Sequence, residues 1–251
     1  MTTPLVFIPG LNCTAALFGP QAERLREGRP VIFADTTQDA TISAMAGRLL
    51  ADAPARFALA GLSMGGYVAL ELLRLAPHRV AGVALMDTNA RPDAEEAVQR
   101  RLQLVDMAET GAFEDVHRAL WPRLVHPDRI GDAALEAIVW EMMLEVGPTA
   151  FMRQQRAIIG RMDSRPFLKN VTQPALVLVG EQDAITPLVQ AEEMHGLLPD
   201  AELVVVPQSG HLSSLEQPEH VLDALTAWLA RIPDEDTPDD RAHAAALASE
   251  R

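Results

Sequence analysis

A serine flanked by glycines, in Gly61-Leu62-Ser63-Met64-Gly65, is the pattern best suited to covalent chemistry in this 251-residue chain. The apolar run before it predicts a strand, and the residues from Gly65 onward predict a helix. A serine on such a tight strand-to-helix turn is held clear of the sheet, above a helix N-terminus that favours developing negative charge. The pattern therefore predicts a nucleophile at Ser63, although a glycine-serine turn opening a purely structural helix is the alternative.

A serine hydroxyl near neutral pH needs a base within hydrogen-bond reach, and that base needs an acid to orient it. His211 follows a predicted strand at 202–206 after a short loop, and we expect it to act as the base. Asp183 follows the predicted strand at 175–179, and we expect it to be the acid. Glu181 is a weaker candidate, and Asp87 competes because it follows the strand at 80–86.

Short apolar runs rich in Val, Ile and Leu must position these residues. The runs are 5–8, 31–34, 57–62, 80–86, 175–179 and 202–206. Each is continuous rather than alternating, which is typical of strands buried on both faces. Helical patterns separate or follow them at 42–53, 65–75, 188–198 and 219–230. This alternation predicts an α/β fold with a parallel sheet and helices on both faces.

The alternation stops at 91–167, where apolar residues recur at helical spacing and Pro92 and Pro166 mark the edges. We interpret this stretch as a helical cap, inserted into a core formed by 1–90 and 168–232. Residues 233–251 carry six acidic residues against Arg241 and Arg251. That composition predicts a disordered tail, or a frayed helix at 241–249.

These segments together resemble the α/β-hydrolase-fold family, in particular small bacterial serine esterases of unassigned substrate. The resemblance covers residues 4 to about 231. The residues that carry it are Phe7-Ile8-Pro9-Gly10-Leu11, Gly61-Leu62-Ser63-Met64-Gly65-Gly66, Leu178-Val179-Gly180-Glu181-Gln182-Asp183 and Ser209-Gly210-His211. The chain order Ser63, Asp183, His211 is also the order in this class.

The resemblance implies an oxyanion hole formed by the backbone amides of Leu11 and Met64. It also implies a reduced, mostly parallel sheet of about six strands, because the chain begins at what would be the family's third strand. Pro9 stands where the family usually has histidine. That substitution changes the loop but not the hydrogen-bond donors of the oxyanion hole, because those donors are backbone amides.

Apolar side chains of the cap, together with one polar residue after the first strand, could line an acyl pocket. The candidates are Asn12, Trp140, Met143 and Phe151. The alternative for the three apolar ones is that they form the cap's own core. Four cap arginines could bind a substrate carboxylate or simply form a solvated helix face. They are Arg153, Arg156, Arg161 and Arg165.

Composition excludes several classes of function. With 21 Lys and Arg against 35 Asp and Glu, the net charge of −14 argues against nucleic acid or anionic membranes as partners. Cys13 is the only cysteine, so neither a disulfide framework nor a cysteine zinc site is expected. No apolar run approaches 18 residues and no signal-peptide pattern begins the chain, which predicts a cytoplasmic protein without a membrane span.

The sequence therefore predicts a cofactor-independent and metal-free serine hydrolase of a small acyl substrate: a carboxylic ester, a thioester or a lactone. Enol-lactone opening, C–C bond hydrolysis and perhydrolysis remain open to the same residues. Two non-enzymatic alternatives are a ligand sensor built on the same pocket and an adaptor that docks through its acidic tail.

Overall fold

The computed structural model describes residues 2–233, which contain one six-stranded sheet. The strands are β1 (Leu5–Ile8), β2 (Val31–Phe33), β3 (Phe57–Leu62), β4 (Val80–Met86), β5 (Ala175–Gly180) and β6 (Ala201–Val206). Their order is β2-β1-β3-β4-β5-β6, and every neighbouring pair is parallel. All six predicted strands are confirmed to within one residue at each end.

Burial differs between the middle of the sheet and its edges. Strands β1, β3, β4 and β5 are buried along their whole length. Strand β2 is only partly buried, and in β6 every residue except Val206 is partly buried or exposed. The expectation of two-sided burial is therefore wrong for β2 and β6, because each is an edge strand with a neighbour on one side only. Along β1, Leu5 and Phe7 pack into one core, and Val6 and Ile8 pack into the other.

Helices cover both faces of the sheet. They are α1 (Gly19–Leu25), α2 (Ile42–Asp52), α3 (Met64–Leu75), α4 (Glu95–Glu109), α5 (Phe113–Leu124), α6 (Ala133–Ile159), α7 (Arg165–Leu168), α8 (Leu188–Leu197), α9 (Ser213–Glu216) and α10 (Pro218–Ala230). Side chains of α2, α3 and α8 fill one core, and those of α1 and α10 fill the other. Helix α1 is a helix that the sequence analysis does not predict; Pro20 lies in its first turn, where proline is tolerated.

Helices α4 to α7 lie between β4 and β5, and the described chain has no strand in this interval. Helix α6 breaks at Gly147, where φ is 70° and ψ is 166°, just before Pro148. A proline at that point has no N–H to donate, and a glycine tolerates the left-handed φ. The interval therefore consists of helices and the loops that join them, as its spacing predicts, and we call 91–167 the helical insertion.

The helical insertion packs on loops at the carboxyl edge of the sheet. The carbonyl oxygen of Leu124, the last residue of α5, accepts hydrogen bonds from the amides of His211 and Leu212 at 3.0 and 3.1 Å. In α6, the side-chain oxygen of the buried Gln154 accepts a hydrogen bond of 2.9 Å from the backbone amide of Asn12. The division into a core at 1–90 and 168–232 and a cap at 91–167 stays a prediction, to which these contacts give a physical basis.

The acidic segment predicted as a tail, 233–251, lies outside the described residues except for the exposed Pro233. The alternative of a helix at 241–249 lies outside them as well. Within residues 2–233, no helix has the length and apolar character needed to span a bilayer.

Candidate active site

The register of the parallel strands brings five loops to one edge of the sheet. Paired residues at the strand ends are Ile8 with Gly61, Leu62 with Met86, Met86 with Leu178, and Gly180 with Val206. Within the described chain, four non-glycine residues have left-handed φ, and all of them lie in loops that follow these strands. They are Asn12 (61°), Ser63 (56°), Asp87 (43°) and Gln208 (52°). Such strain is characteristic of functional sites.

The turn that carries Ser63 requires very close backbone contacts. A Cβ atom at Gly65 would lie 1.9 Å from the carbonyl oxygen of Ile8, and one at Gly61 would lie 2.3 Å from that of Gly65. The Thr88 hydroxyl donates a hydrogen bond of 2.8 Å to the Ser63 carbonyl oxygen. Helix α3 can therefore begin directly after Ser63, one residue before the predicted start, while its first turn presses against β1.

His211 and Asp183 form a buried pair. The Nδ1 atom of His211 lies 2.8 Å from Oδ2 of Asp183. The other carboxylate oxygen accepts hydrogen bonds from the amides of Ile185 and Thr186 at 2.7 and 2.9 Å. The Thr186 hydroxyl donates to Oδ2 at 2.6 Å. These donors fix the carboxylate, so the Nδ1–H of a neutral His211 is directed to Asp183 and leaves Nε2 as the basic nitrogen.

The two groups of this pair perturb each other's pKa values. Burial alone would lower the pKa of His211, but the charge and hydrogen bond of Asp183 outweigh burial, so the pKa is raised above its ordinary 6.5. Burial alone would raise the pKa of Asp183, whereas His211 and Thr186 together bring it below its usual value. Asp183 is therefore the ionised partner that stabilises a protonated imidazole.

Two other carboxyl groups considered from sequence lie elsewhere. Asp87 is fully buried and accepts a hydrogen bond from the Gly180 amide at 2.8 Å, and its other oxygen contacts the Ser213 hydroxyl. Glu181 is exposed and accepts a hydrogen bond from the Gln182 side chain. Among the described hydrogen bonds, only that of Asp183 joins a carboxylate to His211.

Ser63 and His211 line the same cavity, which has a volume of about 430 Å³. A pocket of this size suits a small organic ligand. No hydrogen bond between the Ser63 hydroxyl and His211 is present in residues 2–233. Such bonds are often long in a free enzyme and tighten only when substrate binds.

The amides of Leu11 and Met64 have no hydrogen-bond acceptor within the described part of the chain. Leu11 lies on the cavity wall, and Met64 is the first residue of α3, directly after Ser63. The bond from the Asn12 amide to Gln154 fixes the neighbouring peptide. Two unpaired N–H groups therefore remain beside the serine.

The predicted pocket residues separate into two groups. Asn12 lines the cavity. Met143 and Phe151 are fully buried in the core of the helical insertion, where Trp140 packs against them, and none of the three is among the cavity-lining residues. This position matches the alternative interpretation, in which these side chains form the insertion's own core.

Of the four insertion arginines singled out from sequence, only Arg161 lines the cavity. Arg156 pairs with Glu109, and Arg165 pairs with Asp163. The cavity instead has arginines that sequence reasoning does not single out, Arg100 and Arg123 among them. Helical spacing gives no signal for Arg100, since Glu96 four residues earlier would be its expected partner.

Neither a reactive thiol nor a metal site is supported by the residues that the structure describes. Cys13 lines the cavity, but burial raises the pKa of its thiol to about 12, so it stays protonated. Its Sγ atom lies 3.3 Å from the Leu11 carbonyl oxygen. Within residues 2–233, no group of three or more His, Cys, Asp or Glu side chains is arranged to hold a metal ion.

Comparison with known proteins agrees with the fold. The sequence profile described as "Alpha/beta hydrolase family" matches residues 5–224. A solved structure titled as a thermophilic esterase from Thermogutta terrifontis superimposes with a TM-score of 0.82 at 29% identity, over 91% of this chain and 90% of that one.

Two curated proteins are also similar in sequence. The pimeloyl-[acyl-carrier protein] methyl ester esterase of Aromatoleum aromaticum is 32% identical over 71% of this chain and 76% of its own length. The biotin biosynthesis bifunctional protein BioHC of Cellvibrio japonicus is 26% identical over 90% of this chain. The present chain spans only 47% of that bifunctional relative.

Proposed function

The chain belongs to the Alpha/beta hydrolase family, and we propose that it is a serine hydrolase that cleaves a small carboxylic ester through an acyl-enzyme on Ser63. The observation that carries the proposal is the 2.8 Å contact between His211 and Asp183 beside a cavity that Ser63 also lines. The names of two similar proteins, both esterases, support an ester as the substrate class.

The first step is attack of the Ser63 hydroxyl oxygen on the ester carbonyl carbon. His211 accepts the hydroxyl proton at Nε2, and Asp183 stabilises the imidazolium that results. The carbonyl oxygen becomes an oxyanion, and the free amides of Leu11 and Met64 donate to it. A donor of this kind contributes about 100-fold or more to the rate, because it acts on charge that exists only in the transition state.

The intermediate then collapses. The bond to the alkoxy oxygen breaks, His211 gives its proton to the departing alcohol, and the acyl group stays on Ser63. Water, deprotonated by His211, attacks the acyl-enzyme and releases the carboxylic acid. The same steps open a lactone, in which the departing hydroxyl stays tethered to the acyl group.

The test is turnover of p-nitrophenyl esters from acetate to decanoate. We expect the wild-type protein to hydrolyse at least the shorter esters, with a length limit set by the cavity, and Ser63→Ala to lose turnover. Ser164→Ala is the matched control, because Ser164 lies outside the cavity lining and should leave the rate unchanged. Equal rates for wild type and Ser63→Ala would contradict the proposal, and ligand binding without any turnover would favour a sensor.

A further inference from the structure

The cavity beside Ser63 is lined by an excess of positive charge. Its arginines are Arg91, Arg100, Arg101, Arg123 and Arg161. Asp93 supplies the one carboxylate on the lining among the described residues. The whole chain, by contrast, carries 35 acidic against 21 basic residues. The positive lining therefore runs against the charge of the whole chain.

Two of these arginines share a single acid. Arg161 lies 2.8 Å and Arg101 2.6 Å from Asp93, whose side chain is only 6% exposed. Burial alone would raise the pKa of Asp93, but the two guanidinium groups outweigh burial and hold that pKa below its ordinary value. The ionised Asp93 can neutralise only one of them, so these three side chains together keep one net positive charge.

Two further arginines have no acid partner at all. Arg100, on α4, has no hydrogen bond or ion pair within the described chain. Arg123, on α5, donates only to the Ala184 carbonyl oxygen at 3.2 Å. Arg91 on the cavity lining differs, because it pairs with Glu193 at 2.7 Å. Arg118, also on α5 but outside the lining, pairs with Glu114 at 3.6 Å. Arg100 and Arg123 thus bring two guanidinium groups without an acid partner to the wall of the cavity that Ser63 lines.

A guanidinium group recognises carboxylate and phosphate oxygens through paired, charge-assisted hydrogen bonds. In a concave site with low-dielectric walls, several such charges raise the local concentration of anions. With an apolar ester bound, Arg100 and Arg123 would have no anionic partner and would be solvated by water. An anionic group on the substrate would pair with both.

We propose that the substrate is an ester bearing a negative charge remote from the scissile bond, which Arg100 and Arg123 bind while the carbonyl lies at Ser63. This inference rests on the serine hydrolase proposed above and specifies its substrate class. The charge can be on the acyl part or on the alcohol part, and the two arms of the test distinguish these.

The test compares each anionic ester with a neutral ester of the same reacting group that lacks the carboxylate. In the acyl arm, monoethyl adipate is paired with ethyl hexanoate; in the alcohol arm, 4-acetoxybenzoate is paired with phenyl acetate. We expect kcat/KM for the anionic ester to exceed that for its neutral partner by about 10-fold or more in at least one arm. The preference should weaken as salt is raised, because the unpaired arginines are exposed to solvent.

The variant Arg100→Gln/Arg123→Gln should lose about 10-fold of this preference, mainly through KM for the anionic ester. Arg118→Gln is the matched control and should keep the wild-type ratio. Equal rates for charged and neutral esters in both arms, or a preference that survives in the double variant, would overturn the inference while leaving the serine hydrolase intact. If the wild type hydrolyses none of the four esters but still reacts with a fluorophosphonate, the inference alone is overturned. If it neither hydrolyses an ester nor reacts with a fluorophosphonate, both proposals are overturned.

Discussion

At the scale of single residues, the site depends on how two buried acids differ. Asp183 accepts four hydrogen bonds, counting that of His211, and is held ionised beside the imidazole. Asp87 follows the adjacent strand, but its pKa is raised to about 8. Burial is the main cause, and the charge of Asp183 is the second. Near neutral pH one carboxyl is therefore charged and the other protonated, because two close buried carboxylates resist ionising together.

The charge of Asp183 should be visible in the pH dependence of turnover. His211 can accept a proton only when neutral, and its pKa lies above 6.5, so kcat/KM should rise with pH with a midpoint above that value. Asp183→Asn should lower kcat by about 10³–10⁴-fold, since the imidazole loses both its charge partner and its correct tautomer. The midpoint should also move to lower pH.

Glu181→Gln is the matched control, because it removes an exposed carboxylate two residues away that does not contact His211. It should leave both the rate and the midpoint unchanged. An equal loss in Glu181→Gln, or an unchanged profile in Asp183→Asn, would contradict the assignment of the acid.

Asp87 should affect stability rather than turnover. In the folded state it keeps its proton up to a pH of about 8, whereas unfolding restores the ordinary value of 3.8. The contribution of Asp87 to stability therefore falls as pH rises from about 4 to about 8, because the unfolded chain releases this proton first. Asn carries no ionisable proton and keeps an acceptor for the Gly180 amide, as the protonated acid does.

We expect Asp87→Asn to gain free energy of unfolding relative to wild type between pH 4 and pH 8. A tenfold difference in proton affinity is worth about 1.4 kcal/mol, so the relative gain should exceed about 1 kcal/mol. Urea unfolding at several pH values measures it, with the exposed Asp52→Asn as control. Parallel pH profiles for wild type and Asp87→Asn would show that Asp87 is ionised in the folded protein.

At the scale of elements, the turn between β3 and α3 can present Ser63 because the residues two positions before and after it are glycines. Gly65 touches β1 so closely that no Cβ fits without moving backbone. Helix α2 offers a contrast, since a Cβ at Gly47 would meet no atom within 4 Å. The same substitution at these two glycines therefore has opposite consequences.

Gly65→Ala should lower the free energy of unfolding by about 2–4 kcal/mol, because β1 and α3 must separate to admit the methyl group. Gly47→Ala should raise it by about 0.5–1 kcal/mol, as alanine favours an exposed helix. Urea denaturation of both variants measures the difference. Stability of Gly65→Ala close to that of wild type would show that the turn is looser than its contacts indicate.

Much of this architecture is predictable from sequence, for a physical reason. Central strands of a parallel sheet are apolar on both faces, so 57–62 and 80–86 are predicted to the residue. The direction of a side chain is harder to predict from sequence. Asp87 and Asp183 follow adjacent strands and reach the same edge of the sheet, and only tertiary contacts decide which of them bonds to His211. Which residues line the cavity is harder still to predict. Arg100 lines it because of the way α4 packs, and helical spacing does not encode that packing.

At the scale of the whole molecule, the sheet separates two cores, and the helical insertion closes the cavity over its carboxyl edge. Every group in the proposed mechanism lies within residues 2–233. The segment 234–251 adds six acidic residues and two arginines by composition. Its removal should therefore change the overall charge and leave every group of the proposed mechanism in the chain.

We expect the chain ending at Pro233 to keep the wild-type kcat/KM for neutral p-nitrophenyl esters and the wild-type urea midpoint. Steady-state kinetics and denaturation on the two chains measure this. Loss of function on truncation, with folding intact and Ser63→Ala fully functional, would instead support the adaptor that docks through its acidic segment.

The most direct measurement of the central claim is covalent labelling with a fluorophosphonate, followed by intact mass and peptide mapping. Such a probe reacts with a serine only where a neighbouring base activates the hydroxyl. We predict one adduct per chain, located on Ser63, with labelling lost in Ser63→Ala and strongly slowed in His211→Gln. An adduct on another residue, or ester turnover without any labelling of Ser63, would contradict the account.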